Sequence, residues 1–249
     1  MSETNTLSSF LERLREKWRE VPGSTQDRAF SGDLLQMPDA EFIARWQSWY
    51  ENNCAGENGY PVRGWYHDLY APLAARGGRW VEIGSGLGYD GTFFAEQGAH
   101  VTFVDIVESN LKTIERVCRI RGIRNVEFVV MRELADLNQL GEFDTVLAVG
   151  SLINAPFEMM CEERRVIASH LRVGGRWLEL CYPRERWERE GSLPFSEWGK
   201  RTDGERTPWV EWYDLPKLTA ALQPHRFDAI LDRNFHNNDF NWFDLIKRA

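Results

Sequence analysis

A glycine-rich turn, Gly84-Ser85-Gly86-Leu87-Gly88, carries the strongest chemical signal in the 249-residue chain. It follows a short apolar run from Val81 to Ile83 and precedes Tyr89–Gln97, whose apolar residues recur at helical spacing. A second β-rich run then ends at Asp105. Strand, glycine turn, helix, strand and carboxylate form a nucleotide-binding βαβ unit, in which the glycines admit a ligand close to the backbone and the carboxylate accepts hydrogen bonds from a ribose diol.

The residues beside the turn favour one class of cofactor. The dinucleotide fingerprint Gly-x-Gly-x-x-Gly needs a third glycine where this chain has Tyr89. Glu82, two residues before the first glycine, would repel a pyrophosphate but attract an ammonium group. The pattern therefore favours S-adenosylmethionine, which carries an amine, over NAD. A dinucleotide-dependent oxidoreductase and a non-catalytic ligand-binding protein are the alternatives from other classes.

Hydrophobic periodicity predicts the helices that precede this unit. They are expected at Thr6–Trp18, from Pro38 onwards and near Asp68–Ala75. Because they come before the first strand of the βαβ unit, they cannot belong to its core. We therefore expect residues 1–75 to form a helical cap and active-site lid, and residues 76–249 to form the cofactor-binding domain.

Strand and helix patterns continue to alternate after Asp105, which indicates an α/β fold. Residues 182–213 are expected to form an irregular aromatic insertion. The other expected elements are a helix at 108–121, a strand at 126–130, a short helix or loop at 134–140, a strand at 143–149, a helix at 156–170, a turn at 172–176, a strand at 177–181, a helix at 214–222, and strands at 226–232 and 240–246.

The run from Val81 to Gly88 resembles motif I of the class I S-adenosylmethionine-dependent methyltransferases. Asp105 resembles their acidic ribose ligand, residues 143–154 resemble their motif IV region, and Leu171 to Arg176 matches the turn before their fifth strand. The resemblance extends from Arg79 to the C terminus. It implies a Rossmann-like sheet of seven strands in the order 3-2-1-4-5-7-6, with the seventh antiparallel, and a ligand crevice at the carboxyl ends of the parallel strands.

The resemblance also implies where the cofactor would be held. An acidic residue after strand three often binds the adenine amine in this family. The local segment is Met131-Arg132-Glu133-Leu134, so Glu133, or a backbone amide of Arg132 or Leu134, is assigned that contact. The other implied cofactor residues are Glu82, Gly84, Ser85, Gly86, Asp105, Ile106 and Gly150.

Arg63 and Tyr66 lie just before motif I, in a segment that often closes over the cofactor. Arg63 could pair with the cofactor carboxylate, and Tyr66 could lie against the sulfonium or the substrate. The alternative is that this segment simply packs on the edge of the sheet.

Candidate catalytic residues must lie at the carboxyl ends of strands or on the cap. His236, in the turn between strands six and seven, is the first candidate for a general base, and His67 in the cap is its rival. A turn that satisfies its own backbone and a histidine at a helix start are the respective alternatives. Substrate contacts are expected from Asn237 and Asn238 beside His236 and, next to the transferred methyl group, from Ser151, Asn154 and the catalytic candidate Tyr182.

Several substrate and cofactor classes are disfavoured. The formal net charge of −8 argues against a nucleic-acid backbone as partner. Strand four is followed by Val149-Gly150-Ser151-Leu152 rather than the Asn/Asp-Pro-Pro-Tyr/Phe motif of amino-methylating DNA enzymes. The positions after strands four and five lack the hard oxygen ligands of a metal-dependent enzyme. The four cysteines match no metal spacing, and no apolar run is long enough to span a membrane.

These observations lead to one expected function. We expect a cytoplasmic, metal-independent methyltransferase, monomeric or homodimeric, that acts on a small polar metabolite. Oxygen is favoured over nitrogen as the methyl acceptor, with N-methylation of a sugar or amino acid type amine as the alternative.

Overall fold

The computed structural model describes residues 3–21, 28–55 and 63–249. Its centre is a seven-stranded sheet in the order β3-β2-β1-β4-β5-β7-β6. The strands are β1 Arg79–Ile83, β2 His100–Asp105, β3 Val126–Val130, β4 Phe143–Val149, β5 Leu171–Cys181, β6 Phe227–Phe235 and β7 Phe240–Lys247. β1 to β5 are joined in parallel, and β7 runs antiparallel to both of its neighbours. The predicted fold and strand order are confirmed.

Helices cover both faces of the sheet. They are α1 Glu3–Trp18, α2 Ser31–Leu34, α3 Asp39–Ala55, α4 Gly64–Ala74, α5 Tyr89–Gln97, α6 Glu108–Arg121, α7 Phe157–His170, α8 Arg184–Arg189, α9 Phe195–Asp203 and α10 Leu215–Ala221, with a 3₁₀ helix at Leu134–Leu140. Within the described part of the chain, no helix combines the length and apolar character needed to cross a lipid bilayer.

Alternating side chains of β1 separate the two layers of the core. Val81 and Ile83 pack with α1, α7 and α10 on one face, whereas Trp80 packs with α4, α5 and α6 on the other. This alternation follows from the two-residue period of a strand. β4 contributes apolar residues to both layers, as expected of a central parallel strand. The central strands are therefore buried on both faces, and the carboxyl edge of the sheet is left to form a site.

The cap helices extend the second layer. α3 packs its aromatic face, including Phe42 and Trp46, against Leu87, Tyr89 and α6. Trp46 Nε1 also donates to the carbonyl of Leu87 at 2.9 Å. α4 begins at Gly64, earlier than the helix expected near Asp68. The cap thus contacts the glycine turn directly.

Two expectations about the second half of the chain were wrong. Residues 182–213 are not wholly irregular, since they contain the helices α8 and α9, whose Trp198 is fully buried. The turn expected at 172–176 lies inside β5, which starts at Leu171, pairs there with Phe143, and shifts register before Thr145. Gly174, with φ of 81°, accommodates this irregular start of the strand.

Candidate active site

A cavity of about 310 Å³ opens at the carboxyl ends of β1, β2 and β4. The strand order reverses here, because β2 and β3 lie on one side of β1 and β4 lies on the other. Such a switch point is the usual ligand crevice of an open α/β sheet. Its wall comes from the glycine turn, the ends of β2 and β3, the loop after β4, and the helices α1 and α7. Of the predicted residues, it is lined by Arg63, Glu82, Gly84, Ser85, Gly86, Asp105, Ile106, Glu133, Leu134, Gly150, Ser151 and Asn154.

Gly84 shows why the turn needs glycine. Its φ is 67°, and a Cβ atom at this position would lie 2.3 Å from Cβ of Ser151. Ser151 is itself fixed, because its hydroxyl donates to the carbonyl of Ile83 at 2.6 Å. The turn and the loop after β4 therefore touch through backbone and short side chains, and the cavity begins where they meet.

Asp105 ends β2 and accepts hydrogen bonds from three groups of the chain around it. One carboxylate oxygen accepts from the amide of Gly86 at 2.9 Å and the other from the amide of Val107 at 2.7 Å. The side chain of Asn110 also donates to it at 3.3 Å. Burial raises the pKa of Asp105 to about 6, although the amides of Val107 and Gly86 work against that shift. The carboxylate is positioned at the cavity by these donors.

Glu82 is buried in β1 beneath the turn. Its Oε2 atom has no hydrogen-bond partner among the described residues. Burial, followed by the nearby charge of Asp90, raises the pKa of Glu82 well above its ordinary value. Gly91 leaves the space for this side chain, since a Cβ there would lie 2.6 Å from the same oxygen. A buried carboxylate oxygen without a donor at the cavity wall fits a ligand that carries an amine.

Asp90, in the first turn of α5, joins the cap to the glycine turn. It accepts hydrogen bonds from Arg63, from the Tyr66 hydroxyl at 2.7 Å and from His67 Nε2 at 2.6 Å. Burial would raise the pKa of Asp90, but Arg63 and the donors from His67 and Tyr66 hold it below its ordinary value. The sequence patterns did not single out Asp90. Its position directly after motif I, opposite a cap segment rich in donors, was the available signal.

This cluster determines what the cap residues can do. Arg63 lines the cavity, whereas Tyr66 and His67 do not. Tyr66 is fully buried and stacks on Trp242 with ring centroids 4.2 Å apart. His67 stacks on Phe93 at 4.3 Å. The expected roles of Tyr66 at the sulfonium and of His67 as a base therefore find no support in the geometry, because both side chains point into packed protein.

The loop after β4 brings three expected residues to the cavity. The side-chain nitrogen of Asn154 donates to the carbonyls of Gly150 and Ser151, at 2.8 and 3.1 Å. Its Oδ1 atom accepts no hydrogen bond from any described residue. The side-chain nitrogen of Asn154 thus stabilises the loop, while its Oδ1 atom remains a buried acceptor without a donor.

The end of β3 supplies the part of the cavity expected to face adenine. Glu133 caps the 3₁₀ helix, and Asp136 accepts in return from the amides of Arg132 and Glu133, at 2.8 and 3.1 Å. Those two amides are consequently engaged by Asp136. Leu134 and Ile106 form apolar wall at this end. Of the alternatives assigned to the adenine amine, the Arg132 amide and the Glu133 side chain therefore both have partners within the chain.

His236, Asn237, Asn238 and Tyr182 lie away from the cavity lining. The turn that holds the first three is at the carboxyl edge, as expected, but at the far end of the sheet. The insertion covers it, since Arg189 donates to the carbonyl of Asn237 at 3.2 Å. Tyr182 is buried and donates to Asp203 at 2.7 Å. The geometry therefore does not bring these expected catalytic and substrate-binding residues to the cavity.

Two helices add residues that the sequence patterns did not single out. α1 contributes Leu11, Leu14 and Trp18 to the wall, and α7 contributes Met159, Met160, Glu162 and Glu163. Burial raises the pKa of Glu163 to about 7, while Arg164 works against this shift. An acidic residue on the apolar stripe of α7 was the signal for Glu163. No group of three or more His, Cys, Asp and Glu side chains in the described ranges is arranged to hold a metal ion.

Comparisons with known proteins agree with this architecture. Residues 81–175 match the family model of a methyltransferase domain. A S-adenosylmethionine-dependent methyltransferase from Clostridium acetobutylicum superposes with a TM-score of 0.60 at 9% identity, over 83% of this chain and 99% of that chain. A search of curated protein sequences found no match.

Two further solved structures share the fold. The N-methyltransferase NodS from Bradyrhizobium japonicum, solved with S-adenosylhomocysteine, gives a TM-score of 0.54 at 12% identity over 82% of this chain and 98% of that chain. The N-terminal domain of EvdMO1, solved in the presence of S-adenosylhomocysteine and D-fucose, gives a TM-score of 0.56 at 21% identity over 86% of this chain and 98% of that chain. The match identifies residues 81–175 as a methyltransferase domain, and the whole chain has the fold of these S-adenosylmethionine-dependent methyltransferase structures, in agreement with the predicted family.

Proposed function

We propose that the protein uses S-adenosylmethionine to methylate a small polar metabolite, with oxygen favoured over nitrogen as acceptor. The observation that carries this proposal is the convergence of Glu82, Asp105 and the Gly84 turn on one cavity at the strand switch point. Glu82 would accept from the amine of the cofactor, and Asp105 from its ribose. Ile106 and Leu134 would enclose the adenine. When bound, the cofactor supplies a methyl group activated by a sulfonium.

Arg63 would contribute at the other end of the cofactor. Its Nε atom is buried without a partner among the described residues, although Nη1 is bound to Asp90. A cofactor carboxylate at this end would give that guanidinium a second acceptor. Because Arg63 lies in the cap, we assign residues 1–75 the role of a lid over a cofactor domain formed by residues 76–249.

The chain's part in the reaction is positioning. Holding the acceptor in line with the methyl group can supply about 7–11 kcal/mol of the barrier reduction. α1 lines the cavity, and its Arg15 donates to the carbonyl of Arg132 at 2.6 Å, so this helix would limit the access of water to a bound substrate. N-methylation is the second candidate, because unpaired carboxylates at the cavity would attract a cationic amine.

Isothermal titration with S-adenosylmethionine, S-adenosylhomocysteine and NAD tests the cofactor assignment. We expect binding of the first two and none of NAD. Asp105→Asn should weaken S-adenosylmethionine binding by roughly 10- to 100-fold, since a hydrogen bond to a charged group is worth about 1.5–3 kcal/mol. Asp228→Asn, which alters an exposed pair with Arg248, is the matched control. Tighter binding of NAD than of S-adenosylmethionine would overturn the proposal.

A further inference from the structure

Glu163 occupies an unusual position for a carboxylate. It lies on α7, is only 9% exposed, and lines the cavity. Met159 and Met160 precede it by four and three residues, so all three share one face of the helix. That face packs towards Leu14 of α1 and Leu152 of the loop after β4, which are buried apolar residues. A glutamate therefore stands on the stripe that should be wholly apolar.

The neighbouring charged groups leave Glu163 without a direct partner. Arg164, the next residue, donates to Glu179 at 2.5 Å and to the carbonyl of Leu152 at 2.9 Å, and it lies over the ring of Tyr213. Glu179 on β5 is itself held by that arginine. No hydrogen bond or ion pair to the Glu163 carboxylate occurs in the described part of the chain. A carboxylate so buried is costly unless a ligand donates to it.

The surrounding wall specifies the ligand chemistry. Asn154 presents Oδ1, a second buried acceptor without a donor, while Leu11, Leu14 and Trp18 supply apolar surface. Acceptors on an apolar wall fit a molecule with an apolar body and a proton-bearing polar group. Glu163, Leu11, Leu14 and Trp18 belong to α1 and α7, so this region is the side of the cavity formed by those two helices.

We propose that Glu163 binds the nucleophilic group of the methyl acceptor, a hydroxyl or an ammonium, and takes its proton. This inference rests on the proposed function. An ammonium nitrogen first gives a proton to Glu163 and thereby gains a lone pair, whereas a hydroxyl oxygen already has one. That lone pair forms the new bond to the methyl carbon. The carbon–sulfur bond breaks, and its electron pair stays on sulfur, which loses its positive charge. The proton released from the acceptor passes to the Glu163 carboxylate.

The test uses small probes on the protein loaded with S-adenosylhomocysteine. Benzylamine, benzyl alcohol and benzoate share an apolar ring and differ in the group presented. We expect the amine or the alcohol to bind more tightly than benzoate. Glu163→Gln should lower the affinity for that tighter-binding probe by about tenfold or more, because a charged hydrogen bond is lost. The probe that loses affinity identifies the acceptor chemistry. Glu158→Gln, an exposed glutamate on the same helix, should leave all three affinities unchanged.

Turnover gives the second arm. With a metabolite extract from which the wild-type protein releases S-adenosylhomocysteine, Glu163→Gln should lower the rate by roughly 10²–10⁴-fold. The affinity of this variant for S-adenosylmethionine should stay within about twofold, because Glu163 is assigned to the acceptor and not to the cofactor. Loss of a charged hydrogen bond to the cofactor would cause a much larger change. Failure of the wild type to bind S-adenosylmethionine would remove the proposed function itself. Normal cofactor binding with no preference over benzoate, or an unchanged preference in Glu163→Gln, would overturn the role of Glu163 alone.

Discussion

Replacing Glu163 by glutamine should make the folded protein more stable at neutral pH. Burial raises the pKa of this carboxyl from its ordinary 4.5 to about 7. The folded chain therefore retains a proton that the unfolded chain releases, and wild-type stability falls as the pH rises through this interval. At 1.36 kcal/mol for each pH unit, the charge of Glu163 costs up to about 3 kcal/mol above its folded pKa.

Glutamine has the same shape and no charge, so it removes this pH dependence. The free energy of unfolding of Glu163→Gln minus that of the wild type should rise by up to about 3 kcal/mol between roughly pH 4 and pH 8. The change with pH, rather than the absolute difference, is the quantity to compare. It is insensitive to how well the glutamine amide packs, and other carboxyl groups titrate equally in both proteins.

Urea unfolding followed by circular dichroism, without cofactor, measures this difference at each pH. Glu158→Gln is the matched control, because it removes an exposed carboxylate from the same helix and should give a flat difference. A flat difference for Glu163→Gln would show that its carboxylate is solvated or paired. A difference that falls with pH would show that the charged form is stabilised by the fold, and either result refutes the reasoning.

Two other substitutions test the turn and its connection to the cap. Gly84→Ala should lose at least about 1 kcal/mol more stability than Gly174→Ala, because both require a positive φ but only the first meets another side chain; equal losses in urea unfolding would contradict this steric argument. Asp90→Ala should cost about 3 kcal/mol or more by leaving Arg63, Tyr66 and His67 without the acceptor that they share, and should speed proteolysis within residues 28–75. A loss below about 1 kcal/mol would mean that the Asp90–Arg63 pair is effectively solvated.

The fold and the residues that line the cavity at the glycine turn could be predicted from the sequence because their determinants are local. The glycine turn, Glu82 and Asp105 belong to one continuous βαβ unit, and steric requirements such as the contact at Gly84 restrict residue type at fixed spacing. The composition of a segment such as Phe143–Val149 predicts a strand, since a central parallel strand must be apolar on both faces.

The catalytic candidates were less predictable because histidine was sought at the correct edge of the sheet without knowledge of what covers it. His236 does lie at that edge, yet α8 and β7 occupy its surroundings. His67 follows two aromatic residues at the start of a helix, a pattern shared by an exposed base and a buried hydrogen-bond donor. Chain topology alone cannot separate these cases, because burial depends on packing between distant segments.

The side of the cavity formed by α1 and α7 depends on long-range packing in the same way. Leu14 and Glu163 are far apart in the chain but line one cavity. Neither helix shows this from its own periodicity, since the apolar stripe of α1 predicts only that some surface will cover it. Glu163 is distinguishable only as a charge on such a stripe, and that signal gains meaning once the cavity is known to face it.

The cap and the glycine turn are connected by hydrogen bonds at two points. Asp90 binds Arg63 of the cap and stands two residues after Gly88. Asn110 donates both to Asp105 and to the carbonyl of Trp18, at 3.3 and 3.0 Å. Both of these carboxylates therefore connect the glycine turn to the cap, Asp90 directly and Asp105 through Asn110. A change that moves Asp105 or Asp90 would therefore also alter how α1 and the start of α4 pack, so the glycine-turn side and the α1 side of the cavity are physically linked.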